Sequence, residues 1–227
     1  MADPRKKLSF DEVRASQLGD WRQVAGVIKA KFATGDFATG LKLVDQIGAA
    51  AEEADHHPDL SLTYSQVLVS LSSHDVDGIT SRDIALAQRI SEFAKDLGVP
   101  AEPEGIALVE LGLDTHDGQR LGPFYAALLG AEAEDGDVVD ASGQAPPIWW
   151  QGPADPSDGN TRPELPEQAF EQRWHLDVWV PHDEAEARVK AALDAGGVLV
   201  SDDAAPSFWV LEDADGNRSC ICTSSGR

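Results

Sequence analysis

A short segment rich in proline and glycine divides this chain into two parts. Residues 99–105 carry two prolines and a glycine between two regions with regular hydrophobic patterns. Proline and glycine at this density interrupt both helices and strands, so the segment is predicted to be a linker. A length of 227 residues suits one large domain or two small ones. We therefore predict one domain at residues 1–98 and a second at residues 106–227.

The charge of the chain changes at the same place. Residues 1–98 hold 11 basic and 15 acidic residues, a net charge of −4, whereas residues 99–227 hold 7 and 25, a net charge of −18. Such an acidic second part repels a phosphate backbone, which argues against nucleic acid as a partner.

No apolar run approaches the roughly 20 residues that cross a membrane, and no apolar segment follows the basic start, as a secretory signal would require. Cys220 and Cys222 are too close for a good disulfide, which favours a reducing cytoplasm.

Hydrophobic spacing in the first part is typical of a small α+β domain, with helices on one face of an antiparallel sheet. Capping residues and helical periodicity predict three helices, and alternating polar and apolar residues predict strands. The predicted helices begin at Ser9, Asp36 and Thr80, the predicted strands lie within 21–33 and 64–73, and a loop is expected at 59–63.

The second part contains a loose internal repeat of a strand, a helix and further strands. Two βαβββ-like halves of this kind are expected to form one curved sheet. Four prolines between Gly152 and Pro166 predict a long loop. The predicted strands are 106–113, 148–151, 173–180, 208–211 and 218–223, and the predicted helices are 121–129 and 183–195.

Three of the six histidines belong to one predicted helix–strand unit. The residue before a proline avoids the helical conformation, so Pro58 predicts that the helix ends near His57. Glu52 lies four residues before His56 and is expected to pair with it on the same helix face. His74 follows the next strand. Imidazole transfers protons near neutral pH, so this cluster indicates an acid–base site.

The spacing of this cluster resembles the pterin-4a-carbinolamine dehydratase family. The resemblance covers about residues 8–98 and implies dehydration of a 4a-hydroxytetrahydropterin to the quinonoid dihydropterin. It also implies that no metal or organic cofactor is needed and that the chain forms dimers or tetramers. The matching positions are Glu52, His56, His57, Pro58, Tyr64, His74 and Asp83.

The same resemblance assigns roles to individual residues. It implies that the proton-transferring histidines are His56, His57 and His74, with Glu52 as their carboxylate partner. Asp83 is interpreted mainly as the capping-box residue of the following helix. Tyr64 is interpreted as a packing residue, and residues 60–62 lack the aromatic side chain that the family often has there. The positions expected to contact the substrate are Asp55, Pro58, Ser73 and Asp75.

The second part resembles a divergent glyoxalase-like, or vicinal oxygen chelate, domain. The resemblance is carried by residues 124–130, 173–178 and 211–217. Such domains often hold a divalent metal with residues from several strands, and the corresponding ligands here would be Glu110 and His175. Cys220 stands where the last carboxylate ligand is usual. The pattern therefore favours a His175 that hydrogen-bonds inside the sheet over one that binds metal.

Three functions follow from these patterns. The first is an active dehydratase whose appended domain binds a ligand or mediates assembly. The second is a protein that binds a pterin or another small molecule without converting it. The third places metal-dependent lyase or dioxygenase chemistry in the second domain.

Overall fold

The computed structural model describes residues 3–140, 143, 145–152, 165–168 and 170–226. Contacts between residues group the chain into two compact units that divide after Ile106, with Val180–His182 grouped with the first unit. The domain limits expected from the sequence, with a linker at 99–105, remain a prediction. Ala101 forms a β-bridge with Phe32, so part of that segment is bonded to the first unit. Within the described ranges, no helix is long and apolar enough to span a membrane.

The helices of the first unit begin at side-chain caps, and the caps at Ser9 and Thr80 are those predicted from the sequence. Ser9 and Thr80 each form a capping box with the acidic residue three positions later, and Asp36 accepts a hydrogen bond from the backbone N–H of Thr39. These bonds satisfy N–H groups that have no partner inside the helix. The helices are α1 (Phe10–Ala15), α2 (Phe37–Ala54) and α3 (Ser81–Asp96).

The end of α2 sets the position of the two adjacent histidines. Asp55 takes the left-handed conformation, with φ 47° and ψ 43°, and the N–H of His56 returns to the carbonyl oxygen of Ala51 at 3.1 Å. A left-handed residue stops helical hydrogen bonding. The helix therefore ends at Ala54, and His56 lies just outside it instead of in its last turn.

The first unit contains a four-stranded antiparallel sheet in the order β1-β2-β4-β3. The strands are β1 (Arg22–Val24), β2 (Val27–Ala33), β3 (Asp59–Leu62) and β4 (Gln66–Leu71). Alternate residues of β2 and β4 are fully buried, and Phe32 and Val69 share one hydrophobic cluster with Leu43 of α2 and Leu86 of α3. The predicted small α+β fold is confirmed.

One predicted loop is a strand in the structure. Residues 59–63 were expected to form a loop, but Asp59 pairs with Ser70 and Leu62 pairs with Val67, in register with β4. β3 lies at the edge of the sheet and most of its residues are exposed. An edge strand of this kind lacks the buried alternation by which strands are recognised in a sequence, so the prediction was wrong.

The second unit is built on a six-stranded sheet in the order β10-β11-β12-β9-β5-β8, with β6 and β7 as a separate hairpin. Its elements are β5 (Leu108–Asp114), α4 (Gly118–Leu129), β6 (Glu132–Glu134), β7 (Asp137–Val139), β8 (Ile148–Gln151), β9 (Trp174–Trp179), α5 (Ala185–Asp194), β10 (Val198–Ser201), β11 (Phe208–Glu212) and β12 (Arg218–Cys222). β5 and β9 pair antiparallel and join the two halves. The predicted larger sheet domain is confirmed, although β6, β7 and β10 were not predicted.

His175, Asp177 and Trp179 lie on one face of β9 and are more buried than Trp174 and Leu176 on the other. Gly112 of β5 lies opposite His175 in register, and a Cβ atom at position 112 would overlap the imidazole ring. Glycine therefore leaves room for the histidine on the neighbouring strand. Residues 153–164 of the loop expected between 152 and 166 lie outside the described residues.

Candidate active site

His56 makes a buried hydrogen bond to a carboxylate on a different element. Its Nε2 atom lies 2.7 Å from Oδ1 of Asp83, which is in the first turn of α3. The histidine is 8% exposed and the aspartate is 0% exposed. A charged or polar pair so removed from water is stable only when its hydrogen bonds are made. The sequence-based interpretation of Asp83 as mainly a capping residue is therefore incomplete.

The second oxygen of Asp83 accepts hydrogen bonds from its own helix start and from the preceding loop. Oδ2 accepts from Ser73 Oγ at 2.7 Å, from Thr80 N at 2.7 Å and from Thr80 Oγ1 at 3.2 Å. Ser73 and Thr80 are buried, and their hydroxyl oxygens lie 2.8 Å apart. One carboxylate thus caps α3, fixes Ser73 and holds His56.

These bonds determine which nitrogen of His56 carries a proton. An ionised carboxylate only accepts hydrogen bonds, so Nε2 of His56 must donate to Oδ1 of Asp83. The other ring nitrogen, Nδ1, is then an acceptor when the ring is neutral and a donor when it is charged. The buried carboxylate orients the imidazole and leaves one nitrogen for proton transfer.

His57 pairs with the carboxylate that was expected to pair with His56. Its Nε2 atom lies 3.1 Å from Oε1 of Glu52, and the two side chains are 56% and 81% exposed. The expected Glu52–His56 pair is wrong because α2 ends at Ala54 and the left-handed Asp55 turns the chain. Spacing by four residues brings side chains together only while the helix continues.

His74 follows Ser73 directly and is exposed. It begins a 3₁₀ turn, His74–Val76, whose ends are tied by a hydrogen bond from Ser73 N to Gly78 O at 2.8 Å. Because the hydroxyl group of Ser73 also bonds to Asp83, the loop that carries His74 is anchored to the carboxylate that holds His56. The low exposure of Ser73, 1%, favours a supporting role over the predicted contact with substrate.

The remaining predicted substrate positions lie around this cluster. Asp75 bonds to Arg82 at 2.6 Å and lies 3.4 Å from Arg5, and the Arg82 hydrogen bond lowers the pKa of the Asp75 carboxyl. Asp55 is exposed at the helix end, and Pro58 is half-buried just before β3. Tyr64 is 75% exposed, so its expected packing role is wrong.

In the second unit, the residues expected to bind a metal, Glu110 and His175, make other contacts. Oε2 of Glu110 accepts a hydrogen bond from the indole N–H of Trp179 at 2.7 Å. His175 packs edge-on against Trp149, with ring centroids 5.6 Å apart, and its Nε2 is 3.9 Å from Oδ1 of Asp177. Among the described residues, no group of three His, Cys, Asp or Glu side chains is placed to hold a metal ion. The donor set therefore does not fit the divalent metal that the glyoxalase-like fold implies.

Comparison with known proteins assigns both units to classes. Residues 6–93 match the family described as pterin 4 alpha carbinolamine dehydratase, and residues 110–222 match the family described as glyoxalase-like domain. The fold and the histidine set thus define a dehydratase-type unit followed by a glyoxalase-like unit, as the resemblances implied.

The relatives of the first unit are proteins provisionally named pterin-4-alpha-carbinolamine dehydratase. One from Thermosynechococcus vestitus is 41% identical over 83 residues, which cover 37% of this chain and 87% of that protein. Another from Mesorhizobium japonicum is 39% identical over 93 residues, which cover 39% of this chain and 95% of that protein. The chain belongs to the pterin-4a-carbinolamine dehydratase family.

A solved structure is also similar to part of this chain. It is the transcriptional coactivator/pterin dehydratase from Brucella melitensis, which is 29% identical and has a TM-score of 0.38. The overlap covers 39% of this chain and 99% of that one.

Proposed function

We propose that the protein dehydrates a 4a-hydroxytetrahydropterin to the quinonoid dihydropterin by acid–base catalysis. The observation that carries this proposal is the buried His56–Asp83 pair, which also anchors the loop before His74 through Ser73. Membership of the dehydratase family supports it.

The reaction needs proton transfer at two atoms. The C4a–O bond breaks and the hydroxyl group leaves as water, so it must receive a proton. The nitrogen at position 5 loses its proton, and its electron pair forms the new double bond to C4a. One water molecule is lost and no oxidant is used. Histidines suit both transfers because they donate and accept protons near neutral pH.

The structure offers two kinds of histidine for these steps. His56 is buried and oriented, with Nδ1 as the nitrogen that Asp83 leaves available. His57 and His74 are exposed at the end of α2 and at the start of the 3₁₀ turn, where a bound pterin can reach them. We assign Glu52 to hold the His57 ring through the bond at 3.1 Å.

We also propose that the protein self-associates in the cytoplasm. Two surfaces of the first unit support self-association. β3 is an edge strand, and Phe37 and Leu41, on one side of α2, are 50% and 47% exposed. An exposed strand edge and a pair of apolar side chains one turn apart are surfaces that a second chain can cover. Light scattering after gel filtration, which gives the mass of the particle, tests this part of the proposal.

The catalytic proposal is tested with His57→Ala and His74→Ala in the full-length protein. Each substitution is expected to lower the dehydration rate by about 10²-fold or more, since a positioned acid or base contributes roughly 10²–10⁴. The control is His116→Ala, which removes an exposed histidine of the second unit. The rate is followed by the absorbance of the quinonoid product.

Full activity in both variants would refute acid–base catalysis by this cluster. Calorimetric binding of a pterin to wild-type protein with no turnover would instead select a non-catalytic binding protein.

A further inference from the structure

A cavity of about 240 Å³ in the second unit is lined by side chains of the sheet and of the segment before β9. Its walls include Gln151, Gln168 and His175, and the apolar residues Phe208 and Val210. A concave site with apolar walls and a few convergent polar groups is the usual form of a small-molecule site. The chemistry of these groups specifies what the cavity can take.

The orientation of the Gln151 amide is forced by its neighbour. Its Nε2 atom donates to Oδ1 of Asp114 at 2.6 Å, and a carboxylate can only accept. The amide oxygen of Gln151 is therefore turned away from Asp114. That oxygen makes no hydrogen bond to any residue the structure describes, so it can accept one from a ligand.

The amide of Gln168 is oriented in the same way. Its Nε2 atom donates to Oε1 of Gln172 and to the carbonyl oxygen of Gly216, both at 3.0 Å. Oε1 of Gln172 is identified as oxygen because it also accepts from Arg218 N at 2.7 Å. The Gln168 amide oxygen is thus a second acceptor with no hydrogen bond to the described part of the chain.

The ring of His175 adds a third polar group. Its nitrogens make no hydrogen bond within the described residues, and its side chain is 13% exposed. Among the described lining residues Arg218 is the cation, and its guanidinium already bonds to Glu212 at 3.2 Å and to the Pro166 carbonyl at 2.7 Å. An anionic ligand would therefore meet acceptors and the Asp114 carboxylate, with no uncommitted cation among the described lining residues, which makes an uncharged ligand the better match.

We propose that this cavity binds an uncharged, planar heterocycle rich in N–H donors, and that it does so without a metal ion. The two amide oxygens and the imidazole accept its N–H groups, and Phe208 and Val210, on the same side of β11, cover one of its faces. The Glu110–Trp179 hydrogen bond replaces the metal ligation that the fold implies. The second unit is then a small-molecule site independent of the dehydratase histidines.

The test uses full-length protein and 7,8-dihydropterin as the probe. Trp149 contacts His175, which lines the cavity, so its fluorescence reports on binding there. The signal is the part of the fluorescence quenching that is lost in Trp149→Phe. We expect saturable quenching that EDTA does not alter. Gln151→Leu and Gln168→Leu should each weaken binding about tenfold, the effect of one lost hydrogen bond. Gln88→Leu, on the exposed side of α3, is the matched control and should bind as wild type.

A comparison of ligands tests the same idea without mutation. 7,8-Dihydrolumazine differs from the probe only in having a carbonyl group in place of the 2-amino group. It should bind about tenfold more weakly or worse, because its carbonyl oxygen would face an acceptor of the cavity. Two results would overturn the proposal. One is no Trp149-dependent quenching by 7,8-dihydropterin, and the other is binding that EDTA abolishes and Mn²⁺ or Zn²⁺ restores.

Discussion

Replacing Asp83 with asparagine tests whether its carboxylate orients His56. The side chain keeps its shape, but only one of its two terminal atoms can then accept hydrogen bonds. Three of the four hydrogen bonds at Asp83 go to Oδ2, two of them from Thr80 and one from Ser73. The amide oxygen is expected to take that position, which places the new NH₂ group against Nε2 of His56. Two donors then face each other unless the His56 proton moves to Nδ1.

The size of the effect follows from this geometry. The buried His56–Asp83 bond has a charged acceptor, and such bonds contribute about 1.5–3 kcal/mol. We expect Asp83→Asn to lower the free energy of unfolding by about 2 kcal/mol, since the cap and the Ser73 bond are retained in neutral form. The dehydration rate should fall by about 10²-fold. In the variant, Nδ1 of His56 would already carry the proton that it has to accept in the wild-type protein.

Three measurements separate positioning from simple destabilisation. Urea unfolding gives the stability, product absorbance gives the rate, and the ¹⁵N shifts of the imidazole show which nitrogen of His56 carries the proton. Asp96→Asn, at the exposed end of the same helix, is the matched control and should change none of them. Wild-type activity in Asp83→Asn with the proton still on Nε2 would show that the Asp83 carboxylate does not orient His56.

Two smaller effects follow from exposed pairs. Glu52→Gln should lower the dehydration rate by no more than about fivefold, because an exposed pair such as Glu52–His57 contributes about 1 kcal/mol or less; a loss above about 100-fold would show that Glu52 itself transfers a proton. The Arg82 hydrogen bond lowers the pKa of the Asp75 carboxyl below its ordinary value of 3.8. The stabilisation that this bond gives the folded protein is therefore complete above pH 3.8 and is lost as the pH falls through the lowered pKa. The difference in urea midpoint between wild type and Asp75→Asn should therefore be steady near neutral pH and shrink below pH 3.8, and a difference that grows on acidification would contradict this assignment.

Prediction from the sequence succeeded where the signal is local. The caps at Ser9 and Thr80 predicted where two helices begin, because a capping side chain bonds to backbone within three residues of itself. Apolar periodicity predicted the helix from Asp36. Alternation predicted β4, whose buried residues repeat every second position. β3 was missed because an edge strand with exposed residues has no such alternation, and its pairing depends on β4.

In the histidine cluster, too, local features were predictable from the sequence and the pairing of side chains was not. Its spacing was sufficient to recognise the family, since matching residue types at fixed intervals needs no coordinates. The partner of each histidine was not predictable in this way. Glu52 bonds to His57 and not to His56 because one left-handed residue, Asp55, ends the helix early.

Residue types and their spacing were enough to predict the helix starts, the main strands, the two families and the set of histidines. The tertiary structure brings Asp83 to His56 across 27 residues of sequence. It also decided that Gln151, Gln168 and His175 meet at one cavity while Glu110 is bonded to Trp179. The physical reason is that local propensities act over a few residues, whereas hydrogen-bond partners depend on how distant segments pack, which is set by the core and by where the backbone turns.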